Sequence, residues 1–168
     1  MVIWIIGISG AGKTTLLNDI KKGSQSLDHK TVFIDGDEIR SVFGDDLGHS
    51  LQARKLNSER ICALTKFLDE QGINVVCAVL SIFEEHRNWN RKHLSKYFEV
   101  FINTPSDHVE SRDTKGLYSK FNEGKITNVV GKDILFKTPT KSDLVINNKG
   151  TVEDLLSHTS KLIKLLKN

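Results

Sequence analysis

One octapeptide near the amino terminus constrains the chain more than any other stretch. Gly7-Ile8-Ser9-Gly10-Ala11-Gly12-Lys13-Thr14 matches GxxxxGK[ST] at every fixed position. The context is the one this loop requires. Val2 to Ile6 is a short unbroken apolar run, which reads as a buried strand of a parallel sheet. Thr14 to Lys22 reads as a helix stopped by Gly23. Glycines let backbone N–H groups turn inward around phosphate oxygens, and the helix start adds a partial positive charge. Lys13 is then expected to bridge β- and γ-phosphates, with the Thr14 hydroxyl on Mg²⁺. A plain glycine-rich turn has no need of Lys13 or Thr14. Gly10, Ala11, Gly12, Lys13 and Thr14 are therefore expected to hold a nucleoside triphosphate.

The rest of the chain narrows the class. GTPases pair this loop with a late NKxD motif, and here the nearest stretch is Asn148-Lys149-Gly150-Thr151, which lacks the aspartate. Motor ATPases usually need more than 168 residues, a length that fits one domain spanning 1–168. Small-molecule kinases using ATP fit the size. Further apolar runs predict strands at Thr31–Ile34, Ile73–Leu80, Phe98–Asn103 and Leu144–Ile146. Helical spacing predicts helices over about Leu51–Gln71, closed by Gly72, and about Phe83–Ser95. Thr151 and Asp154 form a capping-box pattern for one last helix, carrying Val152, Leu155, Leu156, Thr159, Leu162, Ile163 and Leu166 along one face. Alternating strands and helices predict an α/β fold: a parallel sheet of about five strands with helices on both faces. From about 113 to 141 the sequence is polar and lysine-rich, with Gly116, Gly124, Gly131 and Pro139. So long a connection reads as an active-site lid.

Composition sets outer limits. Twenty-four basic and 21 acidic residues give a net charge of +3. That balance argues against a nucleic-acid or membrane surface. The apolar MVIWII ends at Gly7, too short for a signal peptide or a membrane span. Cys62 and Cys77 have no metal-ligand or CxxC spacing and read as small buried hydrophobes. A reducing cytoplasm is the expected location.

A second constellation, Asp35-Gly36-Asp37-Glu38-Ile39-Arg40, follows the second strand. In an open parallel sheet, ligands bind beyond the carboxyl ends of the strands. There Asp35 can coordinate Mg²⁺, accept the proton of an acceptor hydroxyl, or do both in sequence. Arg40 can hold an acceptor phosphate through a forked pair of hydrogen bonds.

Together these residues resemble the adenylylsulfate kinases, which phosphorylate the 3′-hydroxyl of adenylylsulfate. The similarity runs almost end to end. It includes Gly7 through Thr15, Asp35-Gly36-Asp37, Asp46-Leu47-Gly48, Arg54 and Asn57. Arg112-Asp113-Thr114-Lys115-Gly116-Leu117-Tyr118 follows the family's RDPKGLY stretch and is its most specific part. The resemblance implies that Thr15 joins the ATP site and that Arg112 packs on the adenine of ATP. It implies an acceptor nucleotide contacted by Asp37, Arg40, Arg54, Asn57, Leu80, Ser81 and Lys115. Arg54 and Asn57 lie three apart and so share a helix face. Ser81 is read as a hydrogen-bond donor in direct in-line transfer, which makes Lys13, Asp35 and Ser81 the catalytic set. A homodimer is also implied by resemblance.

The departures from the family gather at the acceptor base. The family holds adenine between two phenylalanines. One lies in DLGF, where this chain has His49. The other lies in GFTG, where it has Asn128-Val129-Val130-Gly131. The family's FISPYR becomes Val79-Leu80-Ser81-Ile82-Phe83-Glu84, and a PYEPP-like stretch becomes Leu135-Phe136-Lys137-Thr138-Pro139. Each aromatic–base stack contributes roughly 1–3 kcal/mol. Catalytic residues kept beside an altered clamp suggest a changed acceptor base, with His49, Asn128 and Val129 at its pocket. Cytidine diphosphoramidate kinases of bacterial capsule biosynthesis are relatives with such an acceptor. The alternative is an adenylylsulfate kinase whose adenine is held by other side chains. A third reading, a nucleotide-binding regulator without catalysis, is disfavoured by the intact catalytic set.

Overall fold

A computed structural model describes residues 1–27, 30–44 and 46–167. Five parallel strands form its centre: β1 (Val2–Ile6), β2 (Thr31–Asp35), β3 (Asn74–Val79), β4 (Tyr97–Asn103) and β5 (Leu144–Asn147), in the order β2-β3-β1-β4-β5. β1 is apolar on both faces and takes the middle place, where both faces are covered.

Side chains alternate across the sheet. On one face Ile3, Ile5, Val76, Ala78, Val100 and Ile102 pack against Leu16, Leu17 and Ile20 of α1 (Lys13–Gly23). On the other, Val2, Trp4, Ile6, Val75, Cys77 and Val79 meet Ile39 of α2 (Gly36–Val42) and Ile61 and Cys62 of α3 (Leu51–Glu70). Each fully buried aliphatic side chain contributes roughly 1.5–3 kcal/mol, so the all-apolar strands anchor the fold. Cys62 and Cys77 are free and buried, and burial pushes both thiols up to about 12. They pack as the spacing argument expected.

The remaining helices are α4 (Glu84–His93), α5 (Ser106–Ser111), α6 (Leu117–Asn122), α7 (Val152–Leu156) and α8 (Thr159–Leu165). Here the structure departs from the sequence reading. α2 and α5 were not expected, since each is only one or two turns long and lacks a full apolar period. The last helix is two helices. The Thr151–Asp154 capping box forms, but Ser157 Oγ donates back to Asp154 O at 2.7 Å and closes α7. Val152 consequently stands off the buried face at 51% exposure. The stretch 113–141 is more ordered than a plain loop. α6 sits in it, and Tyr118 and Val129 pack with Val109 in a small core of their own.

The sheet order reverses at β1, which has β3 on one side and β4 on the other. Connections leave these strands toward opposite faces and open a crevice at their carboxyl ends. Among the described residues, no helix is long and apolar enough to cross a membrane.

Candidate active site

The crevice is a cavity of about 1000 Å³, floored by the phosphate loop and by the ends of β2 and β3. Gly10 and Gly12 take left-handed conformations, with φ of 77° and 97°. A Cβ on Gly12 would stand 2.7 Å from Leu155 Cδ2, so this turn requires glycine for space as well as for φ. Ala11 is buried beneath the loop and offers only its main chain. Its carbonyl accepts from Asn148 Nδ2 at 3.0 Å and from Thr104 Oγ1 at 3.4 Å. Ser9 O accepts from the Tyr118 hydroxyl at 3.0 Å. The loop is thus held from the β4 end, the β5 end and the 113–141 segment.

Lys13 and Thr14 face this cavity, as does Thr15. Lys13 Nζ donates to Ile8 O at 2.9 Å. Burial lowers its pKa to about 8, against the opposing pull of Asp37 and Asp35. Thr14 Oγ1 donates to Asp35 Oδ2 at 2.7 Å, while Asp35 Oδ1 caps α2 by accepting from Asp37 N at 2.9 Å. A hydroxyl and a carboxylate so close make a hard oxygen pair, which fits Mg²⁺, an ion held by one or two protein oxygens plus phosphates and water. Asp37 extends toward the cavity mouth, where Lys115 binds Asp37 Oδ2. Burial works to raise the Asp37 carboxyl, and Lys115 reverses this, leaving it below the usual range. Carboxylates and ammonium groups therefore alternate around the position where a transferred phosphoryl group would lie.

Ser81 lies two residues beyond the end of β3 with φ 51°, and left-handed backbone at a non-glycine residue costs on the order of 1–3 kcal/mol. Trp4 Nε1 donates to Ser81 Oγ at 3.0 Å. An indole N–H can only donate, so the serine accepts and keeps its own proton free for the cavity. Leu80 lines the wall beside it.

The expected acceptor residues are only partly assembled. Arg40, His49, Arg54, Asn57 and Lys115 all line the cavity. Arg40 does not present a free fork. Its Nη1 donates to Leu47 O at 3.0 Å and Gly48 O at 2.8 Å, because the 46–49 loop folds over it. Arg60 binds both oxygens of Asp46, at 2.7 and 2.6 Å, and secures the same loop. Arg54 bridges two walls, donating from Nε to His49 O at 3.0 Å and from Nη2 to Asn128 O at 2.7 Å. Burial, then Arg40 and Arg54, lower the pKa of the His49 imidazole, which favours its neutral form. Asn57 donates weakly to Gly36 O at 3.4 Å and has an unpartnered Oδ1, leaving hydrogen-bonding capacity on the wall.

Asn128 and Val129 are corrected by the structure. Val129 is fully buried against Tyr118 and Val109, and its neighbour Val130 lines the cavity instead. The reason is local. Asp133 accepts from Asn128 N at 2.6 Å and Val129 N at 2.5 Å, and this turn points Val129 inward. Asn128 adopts φ 65°, and its side chain bonds Thr127 rather than lining the cavity. Arg112 lines the cavity and donates from Nη2 to Gly150 O at 2.9 Å. Three further site residues were not singled out from sequence: Trp4, Tyr118 as a hydroxyl donor, and Asn148. Trp4 carried a signal, being the one residue of the buried Val2–Ile6 run with a polar atom to satisfy.

Fold and site together define a phosphate-loop phosphotransferase that uses ATP. A profile of the adenylylsulphate kinase family matches residues 1–147. An adenylyl-sulfate kinase of Pseudomonas aeruginosa is 36% identical over 92% of this chain and 80% of its own length. A cytidine diphosphoramidate kinase of Campylobacter jejuni is 37% identical over 88% of this chain and 85% of its own length. The solved Mycobacterium tuberculosis APS kinase in complex with AMPPNP and APS superposes with a TM-score of 0.87 at 30% identity, covering 99% of this chain and 97% of that one. This chain belongs to the adenylylsulphate kinase family.

Proposed function

We propose that residues 1–168 form one catalytic unit that transfers the γ-phosphoryl group of ATP to the 3′-hydroxyl of an activated nucleotide, with cytidine diphosphoramidate the favoured acceptor. The observation that carries the base reading is the missing clamp. His49 stands where the family has one phenylalanine, and Val129, at the place of the other, is buried in the lid core. A neutral imidazole and an open Asn57 amide suit hydrogen bonding to a small base better than stacking on a purine. The Campylobacter relative, as similar as the Pseudomonas one, gives the proposal a precedent.

Each side chain has a place in the transfer. Lys13 leaves Ile8 O and takes phosphate oxygens, neutralising charge on the transferring group. Thr14 and Asp35 would hold Mg²⁺, which supplies charge neutralisation when bound. Asp35, or Asp37 after release from Lys115, accepts the proton of the attacking hydroxyl. Ser81 donates its free proton to the transferring phosphoryl oxygens. Arg112 packs on the adenine of ATP. Residues 113–141 act as the lid, and closure would exclude water. Hydrogen exchange with and without an ATP analogue and acceptor tests this closure, and equal protection in both states counts against it. The proposal includes a cytoplasmic location and a homodimer, the latter by likeness to the family.

A second reading, an adenylylsulfate acceptor, is favoured by Phe83, which lines the cavity and can stack. ADP release measured with adenylylsulfate, cytidine diphosphoramidate and CDP on one preparation separates the two. Efficient use of adenylylsulfate with no use of cytidine diphosphoramidate overturns the favoured acceptor.

A further inference from the structure

Ser81 holds a backbone conformation rare outside glycine, and it is buried. Such a conformation persists only where the surroundings over-determine it. Two hydrogen bonds do so, one of them from the distant strand β1. Trp4 holds its hydroxyl, and Arg87 Nη1 donates to its carbonyl at 2.5 Å. Arg87, in the first turn of α4, is buried, and behind it lies Glu99 of β4 at 2% exposure. Glu99 Oε2 lies 3.9 Å from Arg87 Nε and 3.6 Å from Arg91 Nη2, and accepts from the Tyr97 hydroxyl at 2.8 Å. Its Oε1 accepts from Ser142 Oγ at 2.8 Å. Both carboxylate oxygens are thereby satisfied, and the guanidinium is fixed in orientation.

Neither Arg87 nor Glu99 lines the catalytic cavity. We infer that this buried pair is a positioning device for phosphoryl transfer: it clamps the Ser81 carbonyl, keeps the residue left-handed, and so aims the Ser81 hydroxyl into the cavity. The inference rests on the reading of Ser81 as a donor to the transferring group. Without the guanidinium, Ser81 O is a buried acceptor with its partner removed. The backbone then has reason to relax to negative φ, which swings the hydroxyl away from Trp4. Arg87 and Glu99 therefore act through Ser81 and touch no substrate.

Arg87→Ala would leave Glu99 buried beside a cavity and threaten folding, so two milder changes carry the test. Arg87→Lys keeps the charge, but a single ammonium lacks the fork that faces Glu99 and Ser81 O together. The double change Arg87→Met with Glu99→Gln removes both charges at similar volume. The chain has two tryptophans, so Trp89→Phe assigns the indole N–H resonances in ¹⁵N-labelled protein. The Trp4 signal then reports the bond to Ser81 directly. In folded variants of near-native melting temperature, the Trp4 resonance is expected to move. kcat is expected to fall about 10²-fold, the loss a misplacement of about 1 Å can bring, with KM for ATP little changed. An unmoved resonance overturns the clamp, whatever happens to kcat. A moved resonance with unchanged kcat overturns the dependence of transfer on it. If the unmodified protein phosphorylates none of the proposed acceptors, the proposed function fails, and the resonance still decides whether Arg87 and Glu99 hold Ser81.

Discussion

Raising the pH from 7 to 9 titrates Lys13, the residue proposed to capture ATP. Lys13 is held at about 8 because burial disfavours its charge more than Asp37 and Asp35 favour it. Below that value the ammonium is present and can exchange Ile8 O for phosphate oxygens. Above it the amine is neutral, and this attraction is lost. With a pKa of about 8, roughly nine-tenths of Lys13 is charged at pH 7 and roughly one-tenth at pH 9. kcat/KM for ATP reports groups of the free enzyme, so it is expected to fall about tenfold over this interval. kcat at saturating ATP is expected to fall much less, since bound phosphate raises the Lys13 pKa by direct pairing. The assay is ADP release at constant ionic strength, varying ATP at saturating acceptor between pH 6.5 and 9.5. Lys13→Arg cannot titrate in this range, so its residual activity should lack the alkaline limb. A flat kcat/KM for ATP up to pH 9.5, or the same limb in Lys13→Arg, would refute the assignment of that limb to Lys13.

Other changes follow from the same geometry. Asp35→Asn keeps the shape that caps α2 and removes the charge, so kcat is expected to drop by roughly 10²-fold with a smaller change in ATP binding by calorimetry. Gly12→Ala drives a methyl toward Leu155 and Asn148 at a left-handed residue, so ATP affinity and melting temperature are both expected to fall. His49→Phe restores one stacking face and is expected to shift the kcat/KM ratio toward adenylylsulfate by about tenfold, one stack contributing roughly 1–3 kcal/mol. Val129→Phe should instead overpack the Val109–Tyr118 cluster, costing about 1–3 kcal/mol, visible in the melting curve and not in acceptor preference.

The sheet was legible because its strands are apolar runs bounded by glycine or polar turns, and the phosphate loop was legible because its glycines have no cheap replacement. Lys13, Thr14 and Asp35 were placed correctly on the cavity by the rule that parallel strands present their carboxyl ends to ligands. The short helices escaped because one or two turns carry no period. Val129 was misplaced because the direction of a side chain in an irregular segment depends on local bonds, here from Asn128 N and Val129 N to Asp133. The Arg40 and Arg54 side chains were placed on the cavity, but their bonds to Leu47, Gly48, His49 and Asn128 carbonyls are not written in residue spacing. Arg87 and Glu99 were silent in sequence, since a buried ion pair between a helix and a strand has no local signature.

The small cluster of Val109, Tyr118 and Val129 has a consequence for how such a protein changes over generations. It gives part of the 113–141 segment a small interior of its own, which meets the phosphate loop through Ile8 and the Tyr118–Ser9 bond, while Phe136 stacks on Phe101 of the sheet and Lys115 and Arg54 reach the opposite wall. Substitutions at exposed His49, or at Glu84 with its Lys137 partner, can therefore accumulate without disturbing Lys13, Thr14 or Asp35. Grafting 113–141 from one relative onto another, with residue 49 and Glu84 carried along, is the natural unit for retargeting the enzyme, whereas single changes inside that cluster would loosen the segment that holds Ser9 of the phosphate loop.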